Sequence, residues 1–214
     1  MKAVFLGSIS VLADTSEIQR EAFNRAFEEA GLDWHWSQDA YRHMLTDSGG
    51  KDRIADYAES EKADIDVHAT HARKTEIFQE MLRGGNIPMR PETEKLLASA
   101  RNHGLKVAFV SGTARESLDA LLEGFGGAEA LGISLVTSRD NGLAPKPDPA
   151  LYLYALAQMG LEAADVTAVE DNRPGVDAAK AAGIACLVYP NANTQNHDFG
   201  DVDHLAKVDK VIAA

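Results

Sequence analysis

The sequence has a single cysteine, a deficit of positive charge and no long apolar run. The cysteine, Cys186, cannot form a disulfide within the chain, which fits a reducing compartment. Lys and Arg number 21 against 33 Asp and Glu, and the net charge of −12 argues against binding to nucleic acid or to an anionic membrane surface. No segment approaches the ~20 consecutive apolar residues of a membrane span. We therefore expect a cytoplasmic protein without nucleic-acid or membrane partners. A small phosphorylated ligand stays compatible with the charge, because it needs only a few local cations.

The N-terminal segment, Met1–Ala13, also lacks Asp and Glu. A signal peptide is one interpretation of its apolar residues. Against it, the segment carries one positive side chain, Lys2, and has no small-x-small cleavage site before Asp14. We favour the alternative interpretation, a buried first strand.

Short apolar runs recur along the rest of the chain, and most are followed by helical patterns. This alternation is typical of βαβ units and predicts an α/β fold with a doubly wound parallel sheet, a Rossmann-like core. The predicted strands are Ala3–Leu6, Lys106–Val110, Ile133–Val136, Val166–Val169 and Ile184–Val188.

The first and second strands are separated by far more residues than one crossover helix needs. Apolar positions at helical spacing predict an all-helical insert, a cap domain over residues 15–87, with residues 1–14 and 88–214 forming the core domain. An insert leaving the carboxyl edge of the sheet would close over a ligand site as a lid, with hinges near Ala13–Thr15 and Gly84–Pro88. Ser16 and Gln19 are spaced as a capping box for the first cap helix. The helical patterns lie at Ser16–Ala30, Gln38–Leu45, Asp52–Tyr57 and Val67–Leu82.

Three polar segments follow predicted strands or precede predicted helices. Ser111-Gly112-Thr113 offers a hydroxyl and backbone N–H groups at a helix start, where an anion binds well. Lys146 is held between prolines as a fixed positive charge, and Glu170-Asp171 suits a hard cation such as Mg²⁺. Each segment also has an ordinary interpretation as a turn, a rigid helix entry or a pair of helix-start acids. Together, each at the carboxyl end of the sheet, they favour a phosphate site.

With these segments the chain resembles the haloacid dehalogenase superfamily of phosphatases, over essentially its whole length. It is most similar to the sugar-phosphate branch with a helical cap, which includes β-phosphoglucomutase and the CbbY-type xylulose bisphosphate phosphatases. The segments that carry the resemblance are VLADT at 11–15, EAFNRAF at 21–27, GGKDR at 49–53, RKTEIF at 73–78, LKVAFVSGT at 105–113, APKPDP at 144–149 and VEDNRPGVDAAKAAG at 169–183.

The resemblance implies a role for each of these polar side chains. The hydroxyl of Ser111 and the amide of Gly112 would hold the transferring phosphate, and Lys146 would neutralise it. The cofactor would be Mg²⁺, bound by Asp171 with Glu170 behind it. The remaining substrate contacts would come from Lys51 and Arg53 of the cap and from Thr113 and Arg115 of the core. Lys51 and Arg53 can equally be solvated charges at a helix start.

The chain departs from the family at the first motif, where two aspartates serve as nucleophile and as general acid/base. Gly7 and Ile9 occupy those positions, and Ser10 stands where a glycine is expected. Glycine supplies no nucleophile, and isoleucine cannot protonate a leaving group. A serine nucleophile at Ser8 or Ser10 would need an adjacent base. The loss also removes an anionic metal ligand, so we expect Mg²⁺ binding to be weakened or absent, with Lys146 free to pair with Asp171.

Three functional hypotheses follow from this pattern. The first is a catalytically impaired relative of sugar-phosphate phosphatases that retains a phosphate-binding pocket for a small phosphorylated metabolite. The second is an active Mg²⁺-dependent phosphatase that uses water or another group for attack. The third is a non-catalytic regulatory or interaction protein, whose protein partner the sequence does not identify.

Overall fold

The fold is built on a six-stranded parallel sheet with strand order β3-β2-β1-β4-β5-β6. The structure is a computed structural model, and it describes residues 1–45, 49–84 and 87–205. The first strand lies inside the sheet, where Ala3 is aligned with Lys106 on one neighbour and with Val166 on the other. The strands are β1 Ala3–Leu6, β2 Lys106–Val110, β3 Ile133–Thr137, β4 Val166–Glu170, β5 Ala185–Val188 and β6 Asp203–His204.

Helices cover both faces of the sheet, because successive side chains of a strand point to opposite faces. In β1, Val4 and Leu6 pack into one apolar cluster, while Ala3 and Phe5 pack into another. The first cluster includes residues of α6 and α7, and the second includes residues of α8 and α9. The bounds of these helices are α6 Pro91–Asn102, α7 Arg115–Glu123, α8 Ala150–Met159 and α9 Arg173–Ala181.

The segment between β1 and β2 is helical, as the sequence predicts. Its helices enclose an aromatic cluster in which Phe23 and Phe27 pack against Trp36 at ring-centroid distances of 4.8 Å. The helices are α2 Ser16–Glu29, α3 Gln38–Met44, α4 Gly50–Glu61 and α5 Val67–Gly84. The division into domains at residues 14 and 88 stays a prediction, and the hinge predicted at Gly84–Pro88 lies partly outside the described residues.

The start of α2 corrects one prediction. The N-cap residue is Thr15, not Ser16, and the Ser16 hydroxyl instead donates to Asp14 Oδ1 at 2.6 Å. The amide oxygen of Gln19 accepts a hydrogen bond from Lys74 Nζ, so it does not complete a capping box. The capping-box prediction is wrong because the Ser16 hydroxyl is bound by the preceding Asp14 and the Gln19 amide by Lys74 of another helix.

Two elements are absent from the sequence prediction. A single turn of helix, α1 Ile9–Leu12, follows β1, and its N-cap is Ser8. The edge strand β6 has only two residues, both exposed, so it has no apolar run to reveal it.

Within the described part of the chain, no helix combines the length and hydropathy needed to cross a bilayer. Cys186 lies in β5, and burial raises the pKa of its thiol to about 12, as expected for a structural cysteine.

Candidate functional site

A cavity of about 480 Å³ lies at the carboxyl edge of the sheet and extends under the helices inserted after β1. This is the edge at which open parallel sheets bind ligands. Side chains from both parts of the chain line it: the core contributes Ser8, Ile9, Ser111, Thr113, Arg139, Lys146 and Asp171, and the insert contributes Gln19, Tyr41, Arg53, His71 and Lys74.

The loop after β1 forms part of the cavity wall. The backbone N–H of Gly7 donates to the carbonyl of Val169 at 2.8 Å, which fixes the loop against β4. The Ser8 hydroxyl donates to Asp171 Oδ1 at 2.6 Å and accepts from the amide of Val11 at 3.2 Å. Ile9 is buried at the start of α1. This loop therefore presents backbone, a hydroxyl and an alkyl group where a nucleophile and an acid are expected.

The loop after β2 presents an anion-binding geometry. Ser111, Gly112 and Thr113 all line the cavity, and α7 begins two residues further on. The amide of Thr113 donates to Ser111 Oγ at 3.1 Å, which orients the hydroxyl. Backbone N–H groups at a helix start bind anions well, because the helix dipole adds to their partial positive charge.

The cation beside this loop is Arg139, and the structure does not bring Arg115 to the cavity. The Arg115 guanidinium donates to Asp119 at 2.9 Å on the exposed side of α7. Arg139 lines the cavity, and its amide donates to the carbonyl of Thr113 at 3.0 Å. The sequence does not indicate that Arg139, and not Arg115, lines the cavity. Spacing along the chain does not show which of the two side chains points into it.

Lys146 reaches the cavity, but its ammonium group already has strong acceptors. Nζ donates to the carbonyl of Gly7, to the carbonyl of Val110 at 2.8 Å and to Glu170 Oε1 at 2.5 Å. The expected pairing with Asp171 is wrong. Glu170 takes that role because its side chain lies behind the loop that carries Gly7.

Glu170 is completely buried and does not line the cavity. Its Oε1 also accepts from the Tyr152 hydroxyl at 2.7 Å, while Oε2 has no hydrogen-bond partner among the described residues. Burial raises the pKa of Glu170, and the neighbouring Lys146 opposes the shift. The Lys146–Glu170 pair is therefore an ion pair at the base of the site.

Asp171 lines the cavity and is held by neutral donors. Its Oδ1 accepts from Ser8 and from the side-chain amide of Asn172 at 2.7 Å, and Oδ2 accepts from the side-chain amide of Asn191 at 2.7 Å. Asn191 is a residue that the sequence did not indicate.

The carboxylates in this arrangement do not fit a Mg²⁺ site. Mg²⁺ requires oxygen ligands that converge on one point, and of the two predicted ligands only Asp171 reaches the cavity. Within residues 1–45, 49–84 and 87–205, no group of three or more His, Cys, Asp or Glu is placed to hold a metal ion.

The insert contributes a buried lysine that the sequence analysis did not single out. Lys74 is buried in α5, with Nζ 4.4 Å from the ring centroid of Phe23 and 5.0 Å from that of Phe78. Burial, together with the nearby charge of Arg53, lowers the pKa of Lys74 to about 7. Lys74 precedes Phe78 by one helical turn, so the apolar face of α5 could have revealed it.

Two neighbours of Lys74 complete the inner surface of the insert. Arg53 lines the cavity, and its Nε donates to the carbonyl of Met44 at 2.9 Å. Burial and the charge of Lys74 lower the pKa of His71 to about 4. Lys51 is exposed and does not line the cavity, in agreement with the solvated interpretation of its charge.

Comparison with known proteins agrees with this architecture. The sequence profile of haloacid dehalogenase-like hydrolases matches residues 1–183. The chain belongs to this hydrolase family. Protein CbbY, plasmid, of Cupriavidus necator is 36% identical over 208 residues, which span 93% of this chain and 82% of that protein.

Solved structures show the same fold. A CbbY variant from Rhodobacter sphaeroides in complex with xylulose 1,5-bisphosphate superposes with a TM-score of 0.86 at 33% identity, covering 95% of this chain and 93% of that one. The β-phosphoglucomutase of Clostridium difficile, at 15% identity and a TM-score of 0.77, shares the fold over 99% of this chain and 95% of its own. The resemblance and the α/β fold class predicted from the sequence are thus confirmed.

Proposed function

We propose that the protein binds a small phosphorylated sugar in this cavity and does not hydrolyse it by the aspartyl route of its family. The observation that carries the proposal is the contrast between two walls of one cavity. The wall made by Ser111, Gly112 and Arg139 keeps the groups that bind an anion, whereas the wall made by Gly7 and Ile9 lacks those that transfer it.

The core end of the cavity supports binding of one phosphate. The Ser111 hydroxyl and the backbone N–H of Gly112 supply neutral donors, and Arg139 supplies a planar cation that can donate to two phosphate oxygens at once. Neutral donors and a local cation suffice for a small anion even on a chain with a net charge of −12.

The other end of the cavity supports a second anionic group on the ligand. Lys74 is buried, and its Nζ donates to the side-chain amide oxygen of Gln19. This acceptor is uncharged, so the hydrogen bond does not neutralise the ammonium charge. Arg53 lies on the same inner surface. A bisphosphorylated sugar would place a phosphate at each end, and the CbbY variant from Rhodobacter sphaeroides holds such a sugar, xylulose 1,5-bisphosphate.

Turnover by the family route requires groups that residues 7 and 9 do not provide. A covalent phosphoryl intermediate needs an oxygen nucleophile in line with phosphorus, and protonation of the leaving group alone contributes ~10²–10⁴-fold. Ser8 is an imperfect substitute, because its hydroxyl already caps α1 and donates to Asp171.

The test combines binding and turnover on one preparation. Titration calorimetry should show binding of xylulose 1,5-bisphosphate and none of unphosphorylated xylulose. A phosphate-release assay with Mg²⁺ should show a rate at least ~10⁴-fold below that of an intact family member. Release at an ordinary enzyme's rate, in a sample free of contaminating phosphatase, would contradict the proposal and favour an active phosphatase. If neither the bisphosphate nor inorganic phosphate binds, a role that does not use the cavity would be favoured instead.

A further inference from the structure

Lys74 places an amine in the cavity without a carboxylate beside it. Its side chain is buried, and the hydrogen-bond acceptor of Nζ is the uncharged amide oxygen of Gln19. None of the ion pairs between described residues includes Lys74. The rings of Phe23 and Phe78 lie beside Nζ in place of water. Such surroundings disfavour the ammonium form, so Lys74 is a neutral amine more often than an exposed lysine is.

Two neighbours favour the use of this amine as a nucleophile. Arg53 lines the same cavity, and its positive charge opposes protonation of Lys74. Removal from water and a neighbouring cation are the two conditions that activate lysines toward carbonyl carbons. His71 lies one helical turn before Lys74 on the same face of α5 and also lines the cavity. Its pKa of about 4 leaves the imidazole neutral and able to accept a proton.

The amine and the groups proposed to bind phosphate line one cavity. Ser111, Gly112 and Arg139 contribute to it from the core, and Lys74 contributes to it from the insert. A ligand whose phosphate binds at the core end therefore has the rest of its chain in the space that Lys74 lines. A second phosphate there would hold Lys74 in its charged form. A carbonyl group there would meet the neutral amine instead.

We infer that Lys74 forms an imine with the open-chain carbonyl group of a small sugar that carries a single phosphate. The lone pair of Nζ bonds to the carbonyl carbon, and the carbonyl oxygen becomes a hydroxyl. That oxygen then leaves as water with both protons of the amine, and a C=N bond remains. His71 can carry a proton from the nitrogen to the departing oxygen. No phosphoryl group moves, and neither an oxidant nor a reductant is consumed.

This inference deepens the proposed function and rests on the phosphate-binding end of the cavity. It names an aldehyde or ketone as the second group by which a monophosphorylated ligand is recognised. The reaction uses none of the groups that Gly7 and Ile9 fail to provide, because it takes place at the insert and not at phosphorus.

The test is reductive trapping with D-glyceraldehyde 3-phosphate and with D-erythrose 4-phosphate, which differ in chain length. D-Glyceraldehyde serves as the aldehyde without phosphate. Cyanoborohydride converts an imine into a stable secondary amine, which peptide mass spectrometry locates in the chain. At least one sugar phosphate should be trapped on Lys74 about tenfold or more above glyceraldehyde at equal concentration, because a bound phosphate holds the carbonyl near the amine. Excess inorganic phosphate should abolish this preference.

Three variants separate a directed reaction from random labelling of lysines. The intact mass of Lys74→Met should show no adduct under conditions that add one sugar to wild type. Lys51→Met should behave as wild type, because Lys51 is exposed and does not line the cavity. Arg139→Met should reduce trapping by the sugar phosphate to the level seen with glyceraldehyde.

The remaining outcomes overturn the inference. If inorganic phosphate binds in calorimetry but neither sugar phosphate is trapped on Lys74, the imine is wrong and the proposed function stands. If phosphate does not bind and nothing is trapped, both fail. Equal trapping of glyceraldehyde, or adducts spread over exposed lysines, would show that the cavity does not direct the reaction.

Discussion

At the scale of single residues, Lys74 links binding to protonation. A pKa of about 7 leaves its amino group mostly neutral at pH 8, whereas an anionic ligand stabilises the charged form. The ionisable groups near it are Arg53, which is charged, and the imidazole of His71, which is neutral above its pKa of about 4. We therefore expect the bisphosphate to bind with uptake of about one proton at pH 8 and with little uptake by this group at pH 6.

Calorimetry in buffers of different ionisation enthalpy measures this uptake. Lys74→Met should remove the difference between the two pH values and weaken binding roughly tenfold or more. Lys51→Met is the matched control in the same region, because Lys51 is exposed and does not line the cavity. Equal losses in the two variants would refute a specific role for Lys74.

The same residue should oppose stability. Its pKa in the folded protein, about 7, lies below the ordinary value of 10.5, so folding expels a proton between these values. The cost of burying the charge is complete below about pH 7 and disappears as the pH rises toward 10.5. Lys74→Met should accordingly be more stable than wild type at pH 6, by a margin that shrinks at alkaline pH in urea titrations.

The Lys146–Glu170 ion pair should stabilise the fold, whereas the buried charge of Lys74 should destabilise it. Glu170 has no exposed surface and the Lys146 side chain is 11% exposed, so removing either partner leaves a buried charge without compensation. Lys146→Met should lower the free energy of unfolding by about 3 kcal/mol, and Lys146→Met/Glu170→Gln should recover most of it. Urea unfolding of the four proteins of this cycle measures the coupling. Additive effects would show that the pair does not interact.

At the scale of elements, Arg90 joins the helical turn α1, which follows the Gly7 loop, to the loop after β5. Its guanidinium donates to the carbonyls of Ser10 at 2.9 Å, Tyr189 at 2.8 Å and Pro190 at 2.6 Å, and it stacks on the Tyr189 ring. These contacts fix the cavity wall that contains Gly7.

We expect Arg90→Met to destabilise the protein by about 2 kcal/mol, since several charge-assisted hydrogen bonds to partly buried carbonyls are lost. Arg115→Met is the control, because an exposed pair such as Arg115–Asp119 contributes little, within ~0.5 kcal/mol. Chemical denaturation measures both variants. A loss in Arg115→Met as large as that in Arg90→Met would contradict this account.

The elements also show what the sequence could and could not predict. Buried strands such as β1 are continuous apolar runs, so their positions follow from the sequence alone. The edge strand β6 lacks that signal because it pairs through two exposed residues. Side-chain partners were harder to predict. Lys146 pairs with Glu170 and not with Asp171, because the carboxylate of Glu170 occupies the space beside Gly7. Sequence spacing contains no information about that space.

At the scale of the whole molecule, the family's architecture is retained around an altered first loop. The sheet, the inserted helices and the anion-binding loop after β2 form one cavity, and charged groups line it on both sides. The predicted departures from the family lie in this loop, at Gly7, Ile9 and Ser10, and the space beside Gly7 is occupied by the Glu170 carboxylate that pairs with Lys146. This arrangement supports our proposal that the protein binds a phosphorylated sugar without transferring its phosphate.

Phosphorus NMR of xylulose 1,5-bisphosphate mixed with an equal amount of protein and excess Mg²⁺ tests this claim most directly, since it reports binding and hydrolysis in one sample. The account predicts that both phosphate resonances broaden or shift while no inorganic phosphate accumulates over hours. Inorganic phosphate growing within minutes would contradict it, and so would resonances identical to those of the free sugar.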